Sequence, residues 1–517
     1  MPESGRTVSL WQDEFENPGA APPPTGELRC DVCVIGAGIA GLTTAYRLAR
    51  SGRKVVLVDD GPIGGGATLR TTGHLCTALD DRYYRLAQRH GAEGARLAAE
   101  SHGAAVDEIE RIAGEHAIAC DFRRVDGYLV AGRPDADGVA ELRHELEAAT
   151  AAGLPVAMSR VPSERHDFGP ALAFANQGQF HAGRYLAGLA RAAMEAGVSL
   201  HTQTHAVEIE GGKDAHVTTA ARARIGCGAV VVATNTPIND RVVMHTKQAA
   251  YRTYVVAFRV PRDSVPAYLL WDTLDPYHYV RTQDAGDGEH AWLIVGGEDH
   301  KTGQDRADHA FRALGLWTQE RYAVPEQPIY RWSGQVLEPH DGLAFIGRNP
   351  LDHDNVYLVT GDSGNGLTHG TIAGLLLEAL ISGVEHPWAT LYDPSRKSLR
   401  ASGTFLKETA NFVAQYKDLV LPGEIKDPVD LKSGNGALIR RGAAIHALFR
   451  DQRGSLHEHS AICPHLGCVV QWNPTEATWD CPCHGSRFRA ADGEVINGPA
   501  NKGLKPIEFG GRRAASG

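Results

Sequence analysis

Two short loops near the carboxy terminus constrain this chain more than any other feature. The first reads Cys463-Pro464-His465-Leu466-Gly467-Cys468, and the second Cys481-Pro482-Cys483-His484-Gly485-Ser486. Each holds a cysteine and a histidine two or three positions apart, and one additional cysteine. Thiolate and imidazole together form a transition-metal ligand set. A zinc site is the plain alternative, but zinc fingers usually pair like ligands locally, as Cys-x-x-Cys and His-x-x-x-His. Here Cys and His alternate within both loops, which is a different pattern.

The segment resembles the Rieske domains of respiratory cytochrome complexes. A Rieske [2Fe–2S] centre takes two thiolates on one iron and two imidazoles on the other. The resemblance implies that Cys463 and Cys481 hold one iron, that His465 and His484 hold the other, and that a disulfide between Cys468 and Cys483 joins the loops. Ser486 falls where the respiratory proteins carry a hydroxyl bonded to a cluster sulfur. Phe488 falls where many of them carry a tyrosine, and Gly498-Pro499-Ala500 resembles their third, proline-containing loop. From Gly436 onward, short alternating segments (437–440, 444–449 and 455–459) are separated by turns at Arg441-Gly442 and Arg453-Gly454. They predict a small all-β, antiparallel domain over 431–517, with both cluster loops at one tip.

At 517 residues the chain has room for two or three domains. Its net charge of −10 and lack of a basic run exclude a nucleic-acid binder. No apolar stretch reaches the roughly 18 residues of a membrane span. Residues 1–26 are polar, proline-rich towards their end, and without the charged-then-apolar order of a secretion signal. They predict an extended arm on a cytoplasmic protein. There the Cys468–Cys483 bond would persist if the folded loops shield it. The remaining five of nine cysteines are scattered, so there is no secreted disulfide framework. Cys30-Asp31-Val32-Cys33 lies in an apparent strand, where residues three apart face opposite ways. It reads as ordinary strand cysteines.

An apolar strand candidate, 30–35, leads straight into Gly36-Ala37-Gly38-Ile39-Ala40-Gly41. A helical pattern follows to Ser51, then a second strand, 54–58, closed by Asp59. This is the βαβ dinucleotide fingerprint in its proper context. Gly36 permits the tight turn, Gly38 lets the backbone approach a pyrophosphate, and Gly41 allows close helix–strand packing. The helix start at Ile39 and Ala40 meets phosphate charge, and Asp59 can bond ribose hydroxyls. After Asp59 come the run 64–73, then Asp341-Gly342 to Gly347-Arg348, and then a strand entering Gly361-Asp362-Ser363-Gly364-Asn365-Gly366-Leu367-Thr368. This order resembles the FAD-dependent glycine/D-amino acid oxidase family over 27–395, an α/β Rossmann-like FAD domain with an inserted antiparallel-sheet substrate domain. The resemblance implies FAD contacts from Thr68, Arg70 and Thr71, from Val207 at an edge hairpin and Ala233 after a returning strand. It also implies contacts from Gly347 and from Gly361, Asp362, Gly364, Gly366, Leu367 and Thr368 at the flavin edge. A helix starting near Gly366 would aim its positive end at the flavin.

The same resemblance predicts a substrate sheet from 251–260, 277–281, 291–295 and parts of 120–180. Tyr277, Tyr279 and Arg281 share one face by alternation, so Tyr279 and Arg281 are candidates to hold a carboxylate. His74 is a candidate flavin neighbour, either tuning or covalently attached. The family often places a carboxylate-binding arginine between a tryptophan and the Asp-Gly. Here 333–340 contains no Arg or Lys after Trp332 and instead contains Glu338. That departure admits an amine as well as an amino acid substrate. The Glu141–Glu147 helix reads as a solvated face, and 396–430 as a linker.

The whole arrangement resembles a bacterial family that joins these two domains. It implies a dehydrogenase passing electrons from FAD, one at a time, to the cluster and then to an external one-electron acceptor, protein or quinone. Three rivals stand beside it. One is an O₂-using oxidase with a structural or redox-sensing cluster. Another is a Rieske oxygenase, which would need a mononuclear iron domain. The last is a non-enzymatic electron carrier.

Overall fold

Val32-Cys33-Val34-Ile35 and Val55-Val56-Leu57-Val58 are unbroken apolar runs with every residue buried, as strands covered on both faces require. In the computed structural model, which describes residues 5–133, 135–239, 244–304, 307–397 and 423–507, they pair in parallel at the middle of a six-stranded sheet. Ala229–Val232 and Val356–Thr360 extend it in parallel on one side, and Ser199–His201 on the other. Phe345–Arg348 closes the edge antiparallel. The Ile39–Arg50 and Gly366–Ile381 helices cross closely. A Cβ on Gly374 would lie 2.5 Å from Thr43 Cγ2, and one on Gly370 2.7 Å from Ile39 Cγ2. Small residues there bring the two helix starts side by side.

The second sheet is larger. Its strand order is Tyr330–Pro339, Gln248–Pro261, His290–Lys301, His278–Asp284, Leu269–Asp272, Arg123–Val130, Ala171–Gln179 and His74–Leu75, with Val156–Ser159 added beside Ala171–Gln179. It is mainly antiparallel as expected, but Leu269–Asp272 runs parallel to Arg123–Val130. A small four-stranded sheet carries Ala206–Glu210 at its edge.

Two expectations change. The N-terminal residues are not a free arm. Ser9 caps a short helix, Leu10–Asp13, whose Leu10 and Trp11 are buried, and Trp11 Nε1 donates to Thr71 O at 2.6 Å. Nor is Glu145 solvated. It is buried and accepts the Tyr83 and Tyr84 N–H groups at 3.0 and 3.3 Å, satisfying otherwise orphaned donors at the start of the Tyr83–Glu115 helix.

Residues of Thr7–His300 and Asp308–Phe405 form one compact unit, and those of Met1–Arg6, Lys301–Ala307 and Leu406–Gly517 form another. In the second, Gly436–Arg441, Ala444–Arg450 and Leu456–Ser460 make a three-stranded antiparallel sheet. Gln471–Asn473, Thr478–Asp480, Arg487–Arg489 and Val495–Asn497 make a four-stranded one. The predicted 396–430 linker falls largely on 398–422, which lie outside the described residues. No described helix is long and apolar enough to cross a membrane.

Candidate functional site

Both cysteine–histidine loops fold alike. In the first, Cys463 N–H donates to Cys468 O at 2.8 Å and Gly467 N–H to Cys463 O at 3.0 Å. In the second, Cys481 N–H donates to Ser486 O at 2.7 Å and Gly485 N–H to Cys481 O at 3.0 Å. Gly467 and Gly485 take positive φ, 81° and 78°, which glycine adopts at no steric cost. Cys463 and Cys481 are buried, and their thiols lie close enough to perturb each other. The His465 and His484 rings meet edge-on with centroids 5.0 Å apart. Cys468 and Cys483 are disulfide-bonded. Their sulfurs lie with that of Cys481 inside a 4.8 Å group, but the disulfide leaves only Cys481 of the three as a ligand. Two thiols and two imidazoles converging from matching loops fit the donor set of a Rieske cluster. Beneath the second loop a buried Arg487–Asp480 pair at 3.2 Å is tied to Asn473, Thr478 and Asn497, so the charges are compensated.

The dinucleotide loop also fits its expected group. A Cβ on Gly36 would sit 2.4 Å from Ala233 O, and one on Gly41 1.8 Å from Gly36 O. At Gly38 it would meet only Thr68 Oγ1, at 3.1 Å, and Thr68 accepts the Ile39 N–H at 3.1 Å. The first turn after Gly38, including Ala40, carries no acid, leaving its positive end for phosphate. Asp59 accepts the Ala37 and Gly61 N–H groups at 2.5 and 2.8 Å. The Gly366–Ile381 helix also begins without an acid or a side-chain cap. Its early residues Leu367 and Thr368 are buried.

A cavity of about 760 Å³, counting its open mouth, lies between the Gly361–Thr368 loop and the large sheet. Arg70, Thr71, His74, Asp80, Thr253, Trp271, Tyr277, Tyr279, Asp362, Gly364, Gly366 and Leu367 are among its lining residues. Asp80 rests on the Gly361–Thr368 loop: a Cβ on Gly364 would lie 2.3 Å from its Oδ2. Tyr277 OH donates to Asp80 at 3.3 Å, and the Tyr279 and Thr253 hydroxyls are 2.7 Å apart. Burial pushes the Asp80 carboxyl up to about 6, opposed by Arg82 and helped by Asp81. Burial likewise lifts Asp362 to about 6 and Asp299 to about 7. It holds Glu338 well above the carboxylate range, helped by Asp81, Asp299 and Asp80. Both Asp299 oxygens are buried without a hydrogen bond in the described structure.

Arg281 does not reach this cavity, which corrects the expectation that it holds a carboxylate there. It is fully buried, and its Nη1 donates to Gly73 O and Phe180 O at 2.7 and 2.9 Å. Its guanidinium also lies 5.6 Å over the Trp11 ring. Arg70 is engaged by Ser333 O at 2.9 Å and Thr7 O at 2.6 Å. His74 is hydrogen-bonded to Thr72 Oγ1 and Val280 O at 2.9 and 3.3 Å. Burial, then Arg281, holds its pKa at about 3, so it stays neutral. Val207 lies on the small edge sheet, 56% exposed. Gly347 lies on an edge strand against Pro394. Neither lines the cavity. Asp80, Thr253 and Asp299 carry no local motif that marks them, and only the large sheet brings them together.

The family model for FAD dependent oxidoreductases matches residues 31–380, and that for the Rieske [2Fe-2S] domain matches 423–508. The chain belongs to the FAD dependent oxidoreductase family. It carries a Rieske domain at its carboxy-terminal end. The family binds FAD and the Rieske domain a [2Fe–2S] cluster. The chain is 31% identical to Bacillus subtilis YhfW, whose name describes a Rieske 2Fe-2S iron-sulfur protein, over 97% of both chains. The cytochrome b6-f iron-sulfur subunit of Synechococcus sp. (strain JA-3-3Ab) is 40% identical over 17% of this chain and 43% of its own. Among solved structures, glycine oxidase from Geobacillus kaustophilus aligns with TM-score 0.61 at 19% identity, over 72% of this chain and 99% of that one. The L-amino acid deaminase from Proteus vulgaris aligns with TM-score 0.58 at 17% identity, over 77% and 98%. At such identities these two likenesses show the fold.

Proposed function

We propose that the protein is a dehydrogenase that oxidises an amine at its flavin and delivers the electrons singly, through the Rieske cluster, to an external protein or quinone. The observation that carries the amine reading is the cavity's charge. Asp80 and Asp362 line it, and Arg70 there is engaged by Thr7 and Ser333. A carboxylate substrate would meet carboxylates, whereas an ammonium group would be attracted to them.

FAD, when bound, supplies a hydride acceptor, and the cluster supplies a one-electron carrier. The bound ammonium loses a proton and then a hydride and becomes an iminium, which water hydrolyses. Asp80, lifted to about 6, is matched to take the ammonium proton near neutral pH and leave the neutral amine that oxidation needs. Tyr277 and Tyr279, pinned by Asp80 and Thr253, present aromatic faces that favour a cation and orient it. His74, held neutral, adds no opposing charge.

The test is anaerobic mixing of the holoprotein with a panel of amines and amino acids, following flavin and cluster spectra separately. Flavin bleaching followed by cluster reduction, strongest with amines, is expected. Bleaching that never reaches the cluster would favour an O₂-using oxidase.

A further inference from the structure

Neither centre uses the Cys30-x-x-Cys33 motif, and the structure gives Cys30 a different neighbour. Strands Glu27–Arg29 and Arg224–Gly226 run parallel with Arg29 opposite Gly226. The ladder continues one step, because Cys30 N–H donates to Gly226 O at 3.0 Å. In a parallel pair this bond sets Cys30 opposite Cys227. Opposed residues project to the same face, and both side chains pack on one apolar cluster that includes Ile225 and Val230. Both are free thiols and partly exposed. Cys30 Sγ donates to Gly226 O at 3.7 Å and Cys227 Sγ to Ala215 O at 3.8 Å, and the two thiols are close enough to perturb each other. Cys33, in contrast, is wholly buried.

We propose that Cys30 and Cys227 are a redox-active dithiol, a site of reversible disulfide formation at the foot of the dinucleotide-binding sheet. Neighbouring strands sit about 4.8 Å apart, inside the roughly 4.4–6.8 Å Cα separation that a disulfide spans. The bond therefore needs little backbone movement. The oxidant is a low-molecular-weight disulfide. One cysteine thiolate attacks it, forming a mixed disulfide and releasing one thiol. The second cysteine then attacks the mixed disulfide, forming the Cys30–Cys227 bond and releasing the second thiol. Two S–H bonds are lost, and two electrons pass to the oxidant, which leaves as two thiols.

The position gives this chemistry a consequence. Cys30 leads into Val32–Ile35, which ends at Gly36, and Cys227 leads into Ala229–Val232, which ends at Ala233. These strands are in register with each other, and Gly36 faces Ala233 O at their far ends. A covalent tie at the near ends holds together the two strands that carry the dinucleotide loop. Oxidation should therefore slow the loss of FAD.

The full-length holoprotein is treated with oxidised glutathione, alkylated and digested without reduction. A peptide joining Cys30 to Cys227, loss of both from the alkylated pool, and recovery of both with dithiothreitol are expected. Flavin release in urea should be slower after oxidation in wild type and unchanged in Cys30→Ser and Cys227→Ser, whose untreated flavin content reports on folding. Cys30→Ser should trap glutathione on Cys227. The proposal is overturned if Cys30 is joined to Cys33, if the two cysteines carry separate glutathione adducts in wild type, or if both remain alkylated as in untreated protein.

Discussion

Ser486 ties the second cluster loop to residues 498–500, because its Oγ accepts the Ala500 N–H at 3.0 Å. Its side chain also lies close to the Cys463 sulfur. A donor to a cluster ligand stabilises the more negative, reduced state and raises the potential. Ser486→Ala should lower the cluster potential by on the order of 60 mV, the one-electron equivalent of ~1.4 kcal/mol. Spectroscopic redox titration decides it, and an unchanged midpoint would remove Ser486 from the circuit.

Phe488 is buried in the apolar cluster that also holds Cys463 and Cys481. Phe488→Tyr adds a hydroxyl beside those ligands, at the position where the respiratory relatives often have one. We expect the potential to rise, by the same order as the Ser486→Ala fall. An unchanged or lowered midpoint in the titrated variant would contradict this.

Gly41 has no room for a side chain, with Gly36 O 1.8 Å from an ideal Cβ. Gly41→Ala must push the glycine turn away from the helix. Overpacking of this kind costs about 1–3 kcal/mol. If that cost falls on the FAD-bound state, the purified variant should bind FAD roughly 5- to 160-fold more weakly. Gly114→Ala, where a Cβ meets nothing within 4 Å, is the control and should keep its flavin. Equal flavin-to-protein ratios in the two variants would refute the steric argument.

The carboxyls of Asp80 and Asp299 are lifted to about 6 and about 7. Both ionise as pH rises through that window, so attraction for a cationic amine should grow and KM should fall between about pH 6 and 8. Stability moves the other way. Above the unfolded carboxyl value and below the folded one, the folded state binds more protons, so stability declines as pH rises from about 4 to about 7 and levels off above that. Asp80→Asn should raise KM roughly tenfold or more, lower kcat through loss of the proton acceptor, and flatten the pH profile of KM. A steady-state profile as steep as that of wild type would exclude Asp80 as the responsive group. His74, at about 3, should contribute no inflection near 6.5.

Several readings taken from short stretches carried through to the fold. The alternation in 277–281 put Tyr277 and Tyr279 on the cavity side. It could not reveal that Arg281 extends past the cavity to the Gly73 and Phe180 carbonyls. Polar residues 1–26 looked like an arm, yet two of their few apolar side chains, Leu10 and Trp11, are fully buried. Glu145 sits in an acidic helical stretch, but its partners are the backbone of Tyr83 and Tyr84, far away in sequence.

The amino-acid order by itself determined the two cofactor-binding loops. A glycine turn between a strand and a helix, and a cysteine–histidine loop closed by glycine, are set by dihedral limits and spacings within a few residues. Only the tertiary structure decided the charge of the cavity and the partner of each buried polar group. Asp80, Thr253, Asp299 and Glu338 come from separate segments that meet only when the large sheet assembles. The burial that shifts their protonation exists only once those segments have packed.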